Sequence, residues 1–376
     1  MKAYPYLFQN ARIGNMNVPN RVIMAPLTRL RSSLPGDIPT ALMAEYYAQR
    51  ASAGFIITEA TQVSAQAKGY QGAPGLHSDA QERAWAKITQ AVHAKGGRIG
   101  VQLWHTGLIS HKSLQPDLQA PISASATQDL IARTSLQDSS GQVYRVATTP
   151  SRAASNADIQ QVIADFAAAT HRARAAGFDF VEIHGAHGYL LHQFLVAAIN
   201  QRDDAYGGSR ENRARLLLDV VDACVGAWDA AHIGIRISPL GKFNGMPGDF
   251  GAEDTLWLVD ELNQRGLMYL HISEPDYAGA ASLSDAYRVE IRRRFKQAII
   301  GAGLYTPAKA NRLIEAGLID AAAFGRDFIA NPDLPERFAC GAELNPYRGE
   351  LAYGGGAAGY TDYPFLEAQC EGAAND

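Results

Sequence analysis

The stretch Phe180-Val181-Glu182-Ile183-His184-Gly185-Ala186-His187-Gly188-Tyr189 decides how this chain is read. It opens as a short, β-rich apolar run and passes directly into a glycine-punctuated segment carrying two histidines and a tyrosine. Three runs of the same kind precede it, Arg21-Val22-Ile23-Met24, Phe55-Ile56-Ile57-Thr58 and Ile99-Gly100-Val101-Gln102. Four follow it: Ile233-Gly234-Ile235-Arg236-Ile237, Tyr269-Leu270-His271-Ile272, Ala298-Ile299-Ile300 and Ala321-Ala322-Ala323-Phe324. Helical stretches separate them. Strict alternation argues for parallel pairing, and about eight strands is the number of a closed (β/α)8 TIM barrel of the α/β class. An open doubly wound sheet alternates in the same way, so the motifs at the strand ends must decide between them.

The helices carry ordinary start and stop signals. Ser155 followed by Asp158 resembles a capping box, and Thr306-Pro307 supplies an N-cap with proline in the first turn. Ala-Gly pairs at 53–54, 176–177 and 316–317 are expected to end three helices. The segment from Thr106 to Ala154 is rich in Ser, Thr, Gln and Pro and only weakly periodic. It is expected to be a capping excursion from the barrel top after the third strand, because ordering so long a loop has an entropic cost that packing or a task must offset. The whole chain, 1–376, reads as one domain with 106–154 as this cap.

Composition narrows the function. The 376 residues are 47% hydrophobic, ample for a core, and the net charge of −4 provides no basic field for nucleic acid or an anionic membrane. Cys224, Cys340 and Cys370 lie far apart and form no Cys-x-x-Cys pair, so neither a disulfide framework nor an iron–sulfur cluster is expected. No signal peptide or apolar span is legible, and a cytoplasmic location with small-molecule partners is the expectation.

In such a barrel the residues just past each strand converge on one face. Gly301-Ala302-Gly303 after the seventh strand and Gly325-Arg326 after the eighth let the backbone approach a phosphate, with the Arg326 guanidinium as a forked donor. His184 and His187, three apart, can aim two imidazole donors at one oxygen if a helical turn follows the strand, and so stabilise negative charge there. A zinc pair is the rival reading, with Glu182 as the only near third ligand; no metal is expected, because catalytic zinc needs three protein ligands. Tyr189 can donate a proton at the same point.

Taken together, these segments resemble the old yellow enzyme family, and within it the bacterial reductases of N-ethylmaleimide and pentaerythritol tetranitrate. The likeness includes Ala25-Pro26-Leu27-Thr28-Arg29, Leu42-Met43-Ala44-Glu45-Tyr46-Tyr47, Val101-Gln102-Leu103-Trp104-His105-Thr106-Gly107, Ala186-His187-Gly188-Tyr189-Leu190-Leu191-His192-Gln193-Phe194 and Gly359-Tyr360-Thr361-Asp362-Tyr363-Pro364. The resemblance implies non-covalent FMN, NADPH or NADH as reductant, and hydride delivery through flavin N5 to the β-carbon of enones, maleimides and nitroalkenes, with side activity on nitrate esters or nitroaromatics. It implies a monomer or homodimer. It puts His184 and His187 on the substrate oxygen and Tyr189 as proton donor, with Tyr70, Trp104 and Tyr353 walling the substrate pocket. Pro26, Leu27, Thr28, Ala60, Gln102, Arg236, Ala302, Gly303, Phe324, Gly325 and Arg326 fall at flavin-contacting positions. Arg236 and Gln102, at neighbouring strand ends, supply the charge and amide that a flavin pyrimidine edge needs.

The chain departs from the family pattern at Leu108, where an arginine is usual, at Gly185, where a serine is usual, and over Val196-Ala197-Ala198-Ile199. Leu108 is expected to remove a positive charge from the active-site entrance. Two other functions share the motifs: a flavin-free barrel lyase or isomerase using the same phosphate cradle, which would be colourless, and a flavoprotein sensor with little turnover.

Overall fold

The computed structural model describes residues 4–127 and 132–366. Eight strands close into a barrel: β1 (Val22–Met24), β2 (Ile56–Gln62), β3 (Ile99–Trp104), β4 (Phe180–His184), β5 (Ile233–Ile237), β6 (Tyr269–Ser273), β7 (Ala298–Ala302) and β8 (Ala321–Phe324). Every neighbouring pair is parallel, and β8 closes against β1 through Ala322↔Val22, Ala323↔Ile23 and Phe324↔Met24. These are the eight runs expected from sequence, so the open-sheet alternative is removed.

Strand alternation sorts each run into an inward and an outward set. The lower barrel is filled by Phe55, Phe180 and Tyr269, whose ring centroids lie 5.0, 5.8 and 6.0 Å apart. Glycines opposite these rings make the room. A Cβ on Gly100 would meet the Phe180 ring at 2.1 Å, and one on Gly234 the Tyr269 ring at 2.3 Å. Below them an antiparallel hairpin, Ala11–Ile13 with Met16–Val18, plugs the bottom with Ile13 and Val18; its short strands carry too little periodicity to be read from sequence.

Two of the three expected Ala-Gly helix ends are present: Ala176 and Ala316 cap their helices, and Gly177 and Gly317 follow in the left-handed region. The third differs. The first helix, Ala41–Gln49, is capped by Arg50, and Gly54 is needed for close packing, since a Cβ there would sit 2.3 Å from the Asn20 carbonyl oxygen.

The excursion after β3 has more structure than its weak periodicity suggested, although residues 128–131 of it lie outside the described residues. Arg133–Gln137 and Val143–Ala147 form an antiparallel hairpin. It is docked on the loop after β2: Thr134 Oγ1 donates to the Gly69 carbonyl, and the Gln71 N–H to the Ser135 carbonyl at 3.0 Å. Cys224 and Cys340 are free thiols, and Cys370 lies outside the described residues. No helix among the described residues is long and apolar enough to cross a membrane.

Two buried histidines tie the loops at the barrel top. His105 Nδ1 accepts the Gly107 N–H at 3.1 Å, and His192 Nδ1 accepts the Gly188 N–H at 3.0 Å. Burial pushes their pKa values down to about 3 and about 4. The folded values lie below the ordinary value of about 6.5, so below that pH the unfolded chain binds more protons and stability falls as pH falls, by up to about 1.4 kcal/mol per unit for each ring. Urea unfolding should therefore give a free energy about 2 kcal/mol lower at pH 5.5 than at pH 7 from these two rings together; equal values would show that they are not buried neutral.

Candidate active site at the C-terminal mouth of the barrel

A cleft of about 610 Å³ opens at the C-terminal ends of the strands. It is lined by the three expected catalytic residues, His184, His187 and Tyr189, by Tyr70, Trp104 and Tyr353, and by Pro26, Leu27, Thr28, Ala60, Gln102, Arg236, Ala302, Gly303, Gly325 and Arg326. Of the expected site residues only Phe324 is not brought in. Alternation on β8 turns Ala321 and Ala323 inward and Phe324 outward, where its ring packs on Phe338 at 5.1 Å. Leu108 also differs from expectation, since it is buried and does not line the cleft; two cations from other loops, Arg145 and Lys242, stand there.

The two imidazoles meet, though not on a helical turn. His187 takes a left-handed conformation (φ 60°), as does Gly188 (φ 78°), and the His184 and His187 ring centroids lie 5.3 Å apart at 80°. A left-handed residue is several-fold commoner for histidine than for most side chains. The Ala186 N–H donates to His184 Nδ1 at 3.3 Å, which leaves the proton of the neutral ring on Nε2. Burial, then the nearby Arg236 charge, holds both histidines well below the ordinary histidine range. Both are therefore neutral donors. Tyr189, in edge contact with His184 (4.9 Å) and Trp104 (4.8 Å), shares a 3.3 Å hydroxyl contact with Tyr70. Burial, then Tyr70, raises its pKa well above the ordinary phenol value, so it stays protonated.

Glu182, the third ligand a zinc site would need, faces the same way as His184 but is engaged elsewhere. Its carboxylate accepts from Gln102 Nε2 (2.7 Å), Tyr269 Oη (3.1 Å) and His271 Nδ1 (2.7 Å). Gln102 on β3 and Arg236 on β5 flank β4 rather than sit on adjacent strands. With one Gln102 amide N–H committed to Glu182, its oxygen remains as an acceptor for the cleft. Arg236 Nε is buried without a partner among the described residues, an unmet donor of the kind a carbonyl-rich heterocycle satisfies. Opposite, at the β7 end, a Cβ on Gly303 would lie 2.3 Å from Asp276 Oδ1; the bare backbone there, with Arg326 at the β8 end, suits a phosphate.

Lining residues not singled out from sequence include Ser135 and Arg145 from the cap hairpin, Lys242, Phe243 and Asn244 after β5, and Ser273 and Tyr277 at and after the end of β6. Ser273 was legible, because it is the inward residue at the end of the sixth strand, by the same rule that selects His184 and Arg236.

A phosphate cradle across the mouth from an unmet guanidinium, with two neutral imidazole donors and a phenol between them, fits flavin mononucleotide, and fold and site together define a flavin-dependent oxidoreductase. Comparison with known proteins narrows the class. Residues 6–345 match the NADH:flavin oxidoreductase / NADH oxidase family, and the chain belongs to it as one of the old yellow enzymes, with FMN as cofactor and a reduced nicotinamide as electron donor. The chain is 41% identical over 366 residues to 12-oxophytodienoate reductase 1 of Oryza sativa subsp. japonica, covering 95% of this chain and 92% of that protein. Morphinone reductase, solved with tetrahydroNAD, superposes with a TM-score of 0.92 at 45% identity, over 96% of this chain and 98% of that one. The old yellow enzyme homologue of Zymomonas mobilis gives 0.89 at 38%, over 96% and 99%.

Asp276 cannot simply swing away from an added methyl at Gly303, because Oδ1 also accepts the Leu304 N–H at 3.0 Å and Oδ2 is held by Ser282 and Lys309. Gly303→Ala is therefore expected to weaken FMN binding about 10- to 100-fold, the equivalent of the 1–3 kcal/mol that local strain costs, while the far-ultraviolet circular dichroism is kept. FMN titration of the stripped variant checks this; unchanged affinity would remove Gly303 from the cradle.

Proposed function

We propose that the protein is an ene-reductase that reduces activated alkenes, namely enones, maleimides and nitroalkenes, with nitrate esters or nitroaromatics as secondary substrates. The observation that carries the reading is the convergence of two neutral imidazoles and one protonated phenol on a single cleft. The names of the relatives, reductases of 12-oxophytodienoate and of morphinone, point the same way.

On this reading Gln102 and Arg236 hold the pyrimidine edge of FMN, Pro26, Leu27, Thr28 and Ala60 line its ring, and Ala302, Gly303, Gly325 and Arg326 take its phosphate. Bound FMN supplies the two-electron exchange, taking hydride from the nicotinamide and passing it to the alkene β-carbon. His184 and His187 donate to the substrate carbonyl or nitro oxygen, where negative charge develops as the β-carbon is attacked, and neutral donors do so without needing to be charged first. Tyr189 then delivers its proton to the α-carbon. Tyr70, Trp104 and Tyr353 wall the pocket, which favours flat, apolar substrates. Among the described residues no Asp or Glu lines the cleft, while Arg145 and Lys242 do, so the rim attracts anionic groups such as the pyrophosphate of a dinucleotide.

Anaerobic stopped-flow of the holoenzyme tests the assignment, with flavin bleaching by NADPH or NADH followed by reoxidation with 2-cyclohexenone. Tyr189→Phe should leave bleaching nearly unchanged and slow reoxidation about 100-fold or more, the usual share of a general acid. Equal slowing of both steps would strip Tyr189 of its role, and a wild-type enzyme that bleaches without alkene-driven reoxidation would sink the ene-reductase reading.

A further inference from the structure

The inward face of β6 carries Tyr269, His271 and Ser273 in succession. The lower two address Glu182. Ser273 stands at the level of the histidine pair, where its Oγ lies 2.8 Å from His187 Nε2 and 3.4 Å from Arg236 Nη2. A guanidinium has donors and no acceptors. Arg236 therefore donates to Ser273 Oγ; a hydroxyl oxygen can accept twice, but among the described residues its proton has no acceptor within hydrogen-bond reach other than His187 Nε2, which directs it there.

We infer that Ser273 is a positioning residue: by donating to His187 Nε2 it holds the ring as the Nδ1–H tautomer, so that His187 presents an N–H, not a lone pair, to the substrate oxygen. His184 is set the opposite way, as Nε2–H, by the Ala186 N–H on its Nδ1. The pair is thus built from complementary tautomers, one fixed by backbone and one by side chain. The ring contacts of His187, with His184, Phe243 at 4.6 Å and Tyr277 at 5.9 Å, are packing contacts and do not choose between its nitrogens. In the other tautomer an Nδ1 lone pair would face the developing negative charge and repel it, leaving His184 as the one donor.

The inference rests on the ene-reductase reading only for its consequence in catalysis; the tautomer itself is read without turnover. In holoenzyme labelled with ring-¹⁵N histidine, long-range ¹H–¹⁵N spectra separate protonated from bare ring nitrogens. Wild type should show His187 as Nδ1–H, assigned by its loss in His187→Gln. Ser273→Ala should shift it to a mixture or to Nε2–H, and Ser273→Thr, which keeps the hydroxyl, should restore it. In parallel, affinity for 4-nitrophenol, a probe whose phenolate oxygen can accept from the same two imidazoles, should fall about 10- to 100-fold in Ser273→Ala, the loss of one hydrogen bond to a charged group, and recover in Ser273→Thr. An Nε2–H tautomer in wild type, or an unaltered His187 spectrum in Ser273→Ala, overturns the inference and leaves the ene-reductase reading intact. Absence of alkene reduction with the predicted spectra would do the reverse.

Discussion

A carboxylate with no solvent exposure, Glu182, lies in the barrel interior directly beneath the cleft, and the site is built around keeping it charged. Moving an isolated carboxylate into such a place costs several kcal/mol even after relaxation. Burial pushes its pKa up, but His271 and Arg236 outweigh that and hold it below the usual value. His271 is itself pushed down, first by burial, and so stays neutral. The balancing charge is then Arg236, and three strands besides its own, β3, β5 and β6, are committed to one anion. Removing any one partner would leave a buried charge under-satisfied, which is far more costly than the net worth of the contact.

That commitment orients what faces the ligand. Gln102 gives one N–H downward to Glu182 and keeps its oxygen for the cleft. Arg236 is drawn to the anion yet retains a buried Nε without a partner, and its Nη2 reaches Ser273. The floor is thus rigid because it is electrostatically closed from below, whereas the walls come from loops: the cap hairpin brings Ser135 and Arg145, the β5 loop brings Lys242 to Asn244, and the segment around Tyr353 is pinned by Arg29 and Arg31 to the carbonyls of Leu351, Ala352, Gly356, Ala358 and Gly359. A fixed floor with loop-built walls allows substrate range to vary without disturbing the groups beneath.

The parts of this arrangement that follow from strand period were legible in sequence. The eight runs are all strands, and the inward set at their ends contains His184, Gln102, Arg236 and Trp104. Phe324, expected at a flavin-contacting position, is turned outward with Ala322 by the same period, so its side chain does not line the cleft. His187 reaches His184 through a left-handed turn, which no helical spacing predicts. The cap hairpin escaped because its order comes from docking on Gly69 and Gln71, a long-range partner that local periodicity does not contain. Leu108, expected to remove a positive charge from the active-site entrance, is core instead, with its N–H on Gln193 at 3.2 Å; one-dimensional position says nothing of depth once a chain leaves a regular element.

The barrel interior is also asymmetric around its circumference, and the asymmetry divides the labour of the site. From β3 to β6 the inward upper residues are Gln102, Trp104, Glu182, His184, Arg236, His271 and Ser273, a polar and aromatic arc. From β7 through β8 to β1 they are Ala302, Ala323 and Ala25, small residues that leave backbone exposed. A phosphate needs close approach to N–H groups, which side chains would obstruct, whereas a reacting ring and substrate need fixed donors, which only side chains supply. Placing the two on opposite arcs lets a ligand with a charged tail and a reactive ring lie across the mouth in one direction only. The order of alanines and polar residues along eight short strands thereby encodes the polarity of binding before any loop is considered.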